Sequence, residues 1–166
     1  ETGLATDEQK QILETHYDVR PFFVQTISME RVFIDKLFAA EAYVRKAADP
    51  HRAFEAAKHI YDLAVIREHE KTVHLLSDKN QMKRLLDICI TEEKDRLDGI
   101  PGVLPSEFSF FVDAATNADV RKAYDVMQNQ YVLRDSDRID CDAAMDALSS
   151  IKESLLNNPS WTDYHM

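Results

Sequence analysis

Only 3 glycines occur in the chain, and two of them, Gly99 and Gly102, flank the same Ile100-Pro101 dipeptide. Glycine in a helix interior costs about 1 kcal/mol relative to alanine, so its scarcity removes the commonest penalty on helix formation. Alanine, leucine, lysine and glutamate, all good helix formers, are plentiful. The expected fold class is therefore all-α, an irregular antiparallel helical bundle. With 166 residues, 45% hydrophobic and 30% charged, the chain has enough apolar material for one soluble globular domain.

The formal net charge of −10 argues against this chain gripping a phosphate backbone alone, because such affinity rests on Lys and Arg displacing counterions. Any RNA partner would need another basic surface. Cys89 and Cys141 are too few for a disulfide framework and read as thiols of a reducing cytosol, so the expected location is cytoplasmic. No run of apolar residues is long enough for a membrane span, and the start lacks the basic-then-apolar pattern of a signal peptide. Glu1-Thr2-Gly3 reads as an expression or processing scar, and residues 1–20 as scar plus N-terminal linker, which suggests that the natural protein is longer.

From Phe22 to Ile27 the sequence is rich in aromatic and β-branched residues and predicts a single short strand. One strand cannot satisfy its own backbone groups, and no partner strand is found elsewhere. Ser28 then caps a long helix from Met29 to about Ala48, with Val32, Phe33, Leu37, Ala40 and Val44 at helical spacing. Asp49-Pro50 stops it, since the residue before proline is pushed out of the α region. A second helix runs from about His51 to Glu68, its apolar face expected at Phe54, Ala57, Tyr61, Ala64 and Val65. A short helix near Glu70 to Leu76 follows, then one from about Asn80 to Asp95 capped by Asp78. After the Gly99–Pro105 loop come a segment from Ser106, a helix from Asn117 to Tyr131 and a last helix from Asp140 to Asn157. The helical domain is expected over 21–158, with 159–166 as a tail.

The first two long helices form a hairpin. Lys36 lies about 13 residues before its turn and Asp62 about 13 after, so both sit roughly 20 Å from the turn, at one level. The neighbours of Lys36 one turn away, Val32, Phe33, Ala39 and Ala40, are apolar, which makes its ammonium costly to hold unless an anion receives it. A phosphate would serve; so would a carboxylate, Asp62 or Glu41, with the lysine stem laid along the core edge. Lys58, one turn before Asp62, is placed to orient it or to form an ordinary solvated helix pair.

These residues carry a family resemblance. The segment Thr26-Ile27-Ser28-Met29-Glu30-Arg31-Val32-Phe33-Ile34-Asp35-Lys36-Leu37 resembles the one that opens the second half of AbiEii/AbiGii-type toxins. Ala57-Lys58-His59-Ile60-Tyr61-Asp62-Leu63 is similar to that family's following Tyr-Asp-Leu segment, and Val120-Arg121-Lys122-Ala123-Tyr124-Asp125-Val126-Met127 to a helix near its end. The resemblance covers about residues 22 to 158. It implies the helical C-terminal half of a polymerase-β-like nucleotidyltransferase of abortive-infection and toxin–antitoxin systems. Such an enzyme uses Mg²⁺ and a nucleoside triphosphate, held by a Gly-Ser loop and an acidic pair of the N-terminal half. No Gly-Ser dipeptide occurs here, so this chain departs from the pattern at the metal site and by itself is expected to be inactive. Carried over, the family's lysine falls on Lys36, as a catalytic and nucleotide-phosphate contact. Its acidic residue falls on Asp62, as a catalytic residue that acts near the attacking group or positions Lys36, and Lys58 is a further nucleotide-binding candidate. The implied partners are a nucleotide, an RNA acceptor or antitoxin protein, and the N-terminal half, with no membrane. The competing expectation is a non-catalytic all-α protein-interaction module.

Other motifs point to structure. Asp135, Asp137, Asp140 and Asp142 lack the glycine and closing glutamate of a calcium loop, and Asp140 reads as a helix cap. His69 and His74 are five apart, about 140° around a helix, instead of the four a shared zinc needs. His59, beside Lys58, is placed to approach the same pocket or to be an ordinary half-buried helical histidine, and Phe108, Phe110 and Phe111 read as core. No metal ligand is assigned in this chain.

Overall fold

The computed structural model of the chain describes residues 6–16, 23–96 and 99–164. Among them are nine α-helices, two 3₁₀ turns and no strand. The helices are α1 (Asp7–His16), α2 (Met29–Val44), α3 (Pro50–Ile66), α4 (Glu70–Ser77), α5 (Lys79–Glu93), α6 (Phe110–Thr116), α7 (Ala118–Tyr131), α8 (Cys141–Leu156) and α9 (Pro159–Thr162).

Each long helix starts where a short polar side chain can receive the unpaired N–H groups of a first turn. Ser28 accepts from the Arg31 amide at 3.3 Å. Asp49 accepts from the amides of His51 and Arg52, and Pro50 follows at the first helical position, where its missing N–H is no loss. Asp78, Asn117, Asp140 and Asn158 cap α5, α7, α8 and α9 in the same way. α2 ends at Val44, short of the expected Ala48, and a turn over residues 45–48 leads to Asp49-Pro50, which starts α3 and completes a hairpin with extensive mutual packing.

α3 is the central helix, packed against α2, α7 and α8, while α4, α5 and α6 cover other parts of α2. Its buried face consists of Ala53, Ala56, Ala57, Ile60, Leu63 and Ala64. This corrects the expected face in part: Ala57 and Ala64 are buried as expected, but Phe54 and Tyr61 are only half-buried and Val65 is 49% exposed, because the four alanines present the surface on which the neighbouring helices pack. In α2 the core residues are Phe33, Ile34, Leu37, Phe38, Ala40 and Val44, with Val32 at the margin.

The expected strand is not formed by the described part of its segment. Residues 23–28 carry no regular secondary structure, and Phe23, Val24 and Ile27 are exposed; Pro21 and Phe22 lie outside the described residues. A strand needs a second strand to receive its backbone groups, and the described residues contain none. At the other end, residues 159–164 do not trail away. α9 packs on α5 and α8, Trp161 meets Phe108 edge-to-face with ring centres 5.4 Å apart, and Tyr164 is buried with its hydroxyl donating to Asp87.

One buried charge ties the bundle together. Glu41 of α2 is fully buried and accepts from the amides of Ser109 at 3.0 Å and Phe110 at 2.8 Å, the first N–H groups of α6. Arg45, one turn on, donates to the same carboxylate at 2.6 Å. The side chain of Ser109 does not cap α6 but donates to Asp113, so Glu41 supplies that cap from another helix. No helix of the described residues is long and apolar enough to cross a membrane.

Candidate functional site

Near the start of the hairpin α2 and α3 bring together the two residues singled out from the sequence. Lys36 Nζ lies 2.5 Å from Asp62 Oδ2, across 26 positions of sequence. Both side chains are partly shielded, Lys36 26% and Asp62 17% exposed, so their attraction is less screened than that of a surface pair. The carboxylate partner is Asp62 and not Glu41, which is committed to α6.

Three further side chains complete the cluster. His59, three residues before Asp62 on α3, presents Nδ1 at 3.4 Å from Lys36 Nζ. Its ring stacks on Tyr43 of α2, with centres 5.3 Å apart and planes 29° from parallel. Burial and then the nearby Lys36 charge push the His59 pKa down from its ordinary 6.5 to about 4, with Asp62 and Glu55 partly opposing. The imidazole is thus neutral at physiological pH, and toward the ammonium it acts as an acceptor. Tyr131, at the end of α7, reaches the other Asp62 oxygen with its hydroxyl at 3.4 Å.

Lys58 does not bond to Asp62. It donates to both oxygens of Glu55, at 3.0 and 2.9 Å, and lies 5.6 Å from the centre of the Tyr131 ring. The aromatic that receives Lys58 also supplies the hydroxyl on Asp62, so the orienting group comes from α7 instead of from the preceding turn of α3. Tyr61 faces the same side, its ring 6.1 Å from Tyr131 and its hydroxyl donating to the Asp137 carbonyl.

A groove of about 470 Å³ opens beside Lys36, lined by Ile27, Arg31, Asp35, Lys36, His59, Glu92 and Arg96 among others. Arg31 is held in its wall by Asp35 at 2.7 Å and by Glu92. Cys89 donates to Asp35 at 3.3 Å, and burial raises its thiol pKa, which keeps it protonated and inert. Lys36 has three N–H donors and two partners, so one donor has no partner among the described residues. The ammonium can therefore donate to an anionic oxygen without first losing a contact.

The remaining polar motifs have structural work. Asp140 caps α8, Asp142 receives Arg121 at 2.5 Å, and Asp135 pairs with Arg138. His69 caps α4 by accepting from the Lys71 amide at 3.2 Å. Phe108, Phe110 and Phe111 are buried in the core. Among the described residues no group of three or more His, Cys, Asp or Glu side chains is arranged to hold a metal ion.

Sequence reasoning missed Tyr131, Tyr43 and Glu55 as members of this site. His59 had a signal, one helical turn from Asp62 on the hairpin face; Tyr131 comes from a helix 69 positions away and had none.

No family model, curated protein or solved structure matches this chain.

Proposed function

We propose that the chain is the helical C-terminal half of an AbiEii/AbiGii-type nucleotidyltransferase of the abortive-infection and toxin–antitoxin kind. The observation that carries this reading is the meeting of Lys36 and Asp62 beside an open groove, since each lies in one of the segments that resemble that family. In this reading Lys36 turns its unused N–H to a nucleotide phosphate, placing a fixed positive charge where negative charge sits during transfer. Asp62 aims Lys36 and stands beside the attacking group. Lys58 becomes a second phosphate contact on release from Glu55.

Mg²⁺ and the nucleoside triphosphate belong to the complete enzyme, where the family's N-terminal acidic pair holds the metal. The described residues of this chain do not fit that role, and no step is assigned to a metal here. The acceptor, an RNA or an antitoxin protein, would meet a surface other than this acidic one, the chain's charge being −10. A cytoplasmic location belongs to the same proposal.

The second reading, a non-catalytic all-α interaction module, is favoured by one observation. Lys36 and Lys58 are each already neutralised by a carboxylate, as in a structural ion pair. A thermal titration with each nucleoside triphosphate, with and without Mg²⁺, separates the two. Saturation at about 100 times Kd stabilises by about 2.7 kcal/mol, a rise of several degrees in Tm for a domain of this size. The nucleotidyltransferase reading expects such a rise for at least one nucleotide and its loss in Lys36→Ala. Absence of any rise, or an equal rise in Lys36→Ala, overturns it in favour of the interaction module.

A further inference from the structure

Asp62 is an awkward sole anchor for a phosphate-binding lysine. Its carboxylate neutralises the ammonium at 2.5 Å, and the same negative charge repels an approaching phosphate. His59 offers the other kind of anchor, an acceptor without charge, from the same face of α3. We propose that His59 is the positioning residue of this site: its imidazole fixes the direction of the Lys36 ammonium through an uncharged acceptor, leaving the lysine charge available to an incoming phosphate. The last clause rests on the functional reading above; the positioning itself rests on geometry.

The ring is built in place for this task. Tyr43 of α2 stacks on it, and the guanidinium of Arg52 lies 5.4 Å from the centre of that tyrosine ring. The charged groups around it are Lys36 from α2 and Glu55, Lys58 and Asp62 from α3. Lys58 is satisfied by Glu55, which leaves Lys36 as the cation this ring receives. With Nδ1 facing Lys36, the ring proton belongs on Nε2. A neutral ring held between an aromatic face and an ammonium is a directional support: it holds the ammonium without cancelling its charge while the spare N–H turns to an anion.

Long-range ¹H–¹⁵N NMR on the labelled wild-type chain and on Lys36→Met reads this directly. The inference expects His59 as the neutral Nε2–H tautomer from pH 6 to 8, with its pKa rising in Lys36→Met as the neighbouring charge is removed. An Nδ1–H tautomer, an imidazolium at neutral pH, or a His59 signal indifferent to Lys36→Met overturns it.

Lysine acylation followed by peptide mass spectrometry supplies a second readout. His59→Phe keeps an aromatic ring on Tyr43 but removes the acceptor, whereas His59→Asn keeps a polar oxygen near the position of Nδ1. Lys36 should acylate several-fold faster in His59→Phe, and within about twofold of wild type in His59→Asn. Equal rates in wild type and His59→Phe overturn the assignment. Neither readout uses a nucleotide, so a chain that behaves as expected here yet binds no triphosphate overturns the functional reading alone.

Discussion

Two charges on α2, five residues apart, are treated in opposite ways. Glu41 is fully buried, and its two oxygens are filled by two backbone amides and Arg45. Lys36 is 26% exposed, stands beside a groove, and keeps one N–H without a partner among the described residues. A charge saturated by backbone groups can only hold the fold, because any other ligand would have to displace a helix terminus. A charge with a spare donor can take a ligand at small cost. On the function proposed above, the difference separates a structural ion pair from a binding one on a single helix.

The sharpest way to break the comparison is at Glu41. Glu41→Ala strands the α6 amides and Arg45 and should destabilise the fold by about 3–5 kcal/mol. Urea denaturation should show a lower midpoint with little change in slope, and Lys36 acylation should be unaffected at denaturant concentrations where the variant is still folded. A loss below about 1 kcal/mol would mean that this carboxylate is not holding α6.

The next effect comes from acid. His59 has its pKa lowered from 6.5 to about 4, so as pH falls the unfolded chain takes up that proton before the folded one. Its contribution is complete above about pH 6.5, is lost between 6.5 and 4, and amounts to roughly 3 kcal/mol. Wild type should therefore lose stability relative to His59→Phe by about that amount as pH is lowered through that window. Parallel curves would place the histidine in a more solvated setting than the stack on Tyr43.

Lys36→Met should cost less, about 1–2 kcal/mol, because Asp62 is only partly shielded and retains Tyr131. Its expected larger effect is on anion binding. Lys58→Ala should be the smallest, at most about 0.5 kcal/mol, since an i,i+3 pair with Glu55 on one helix face contributes little. If thermal unfolding ranked Lys58→Ala above Lys36→Met, the hierarchy drawn between the two lysines would be inverted.

How much of this was legible in the sequence depends on the range over which each feature is determined. Helix starts were readable because they are local: Ser28, Asp78, Asn117 and Asp140 each accept from amides two or three positions ahead. The Lys36–Asp62 contact was readable because a hairpin with its turn at Asp49-Pro50 fixes which levels meet. The buried face of α3 was only half read, with Ala57 and Ala64 placed on it but Phe54 and Tyr61 given more weight than Ala53 and Ala56, although packing against three neighbours favours the small residues. The role of Glu41 and the arrival of Tyr131 at Asp62 are set by tertiary packing across 69 positions, and no local pattern encodes either. The strand expected near residues 22–27 rested on composition, which registers β-propensity but cannot supply the partner that a strand requires.

Calorimetric titration of the wild-type chain and of Lys36→Met with inorganic triphosphate tests the claim that Lys36 is a ligand-receiving charge most directly. The account predicts saturable binding to the wild type that weakens at least tenfold in Lys36→Met. Binding that is absent from both, or equal in both, would contradict it and leave Lys36–Asp62 as a second structural pair beside Glu41.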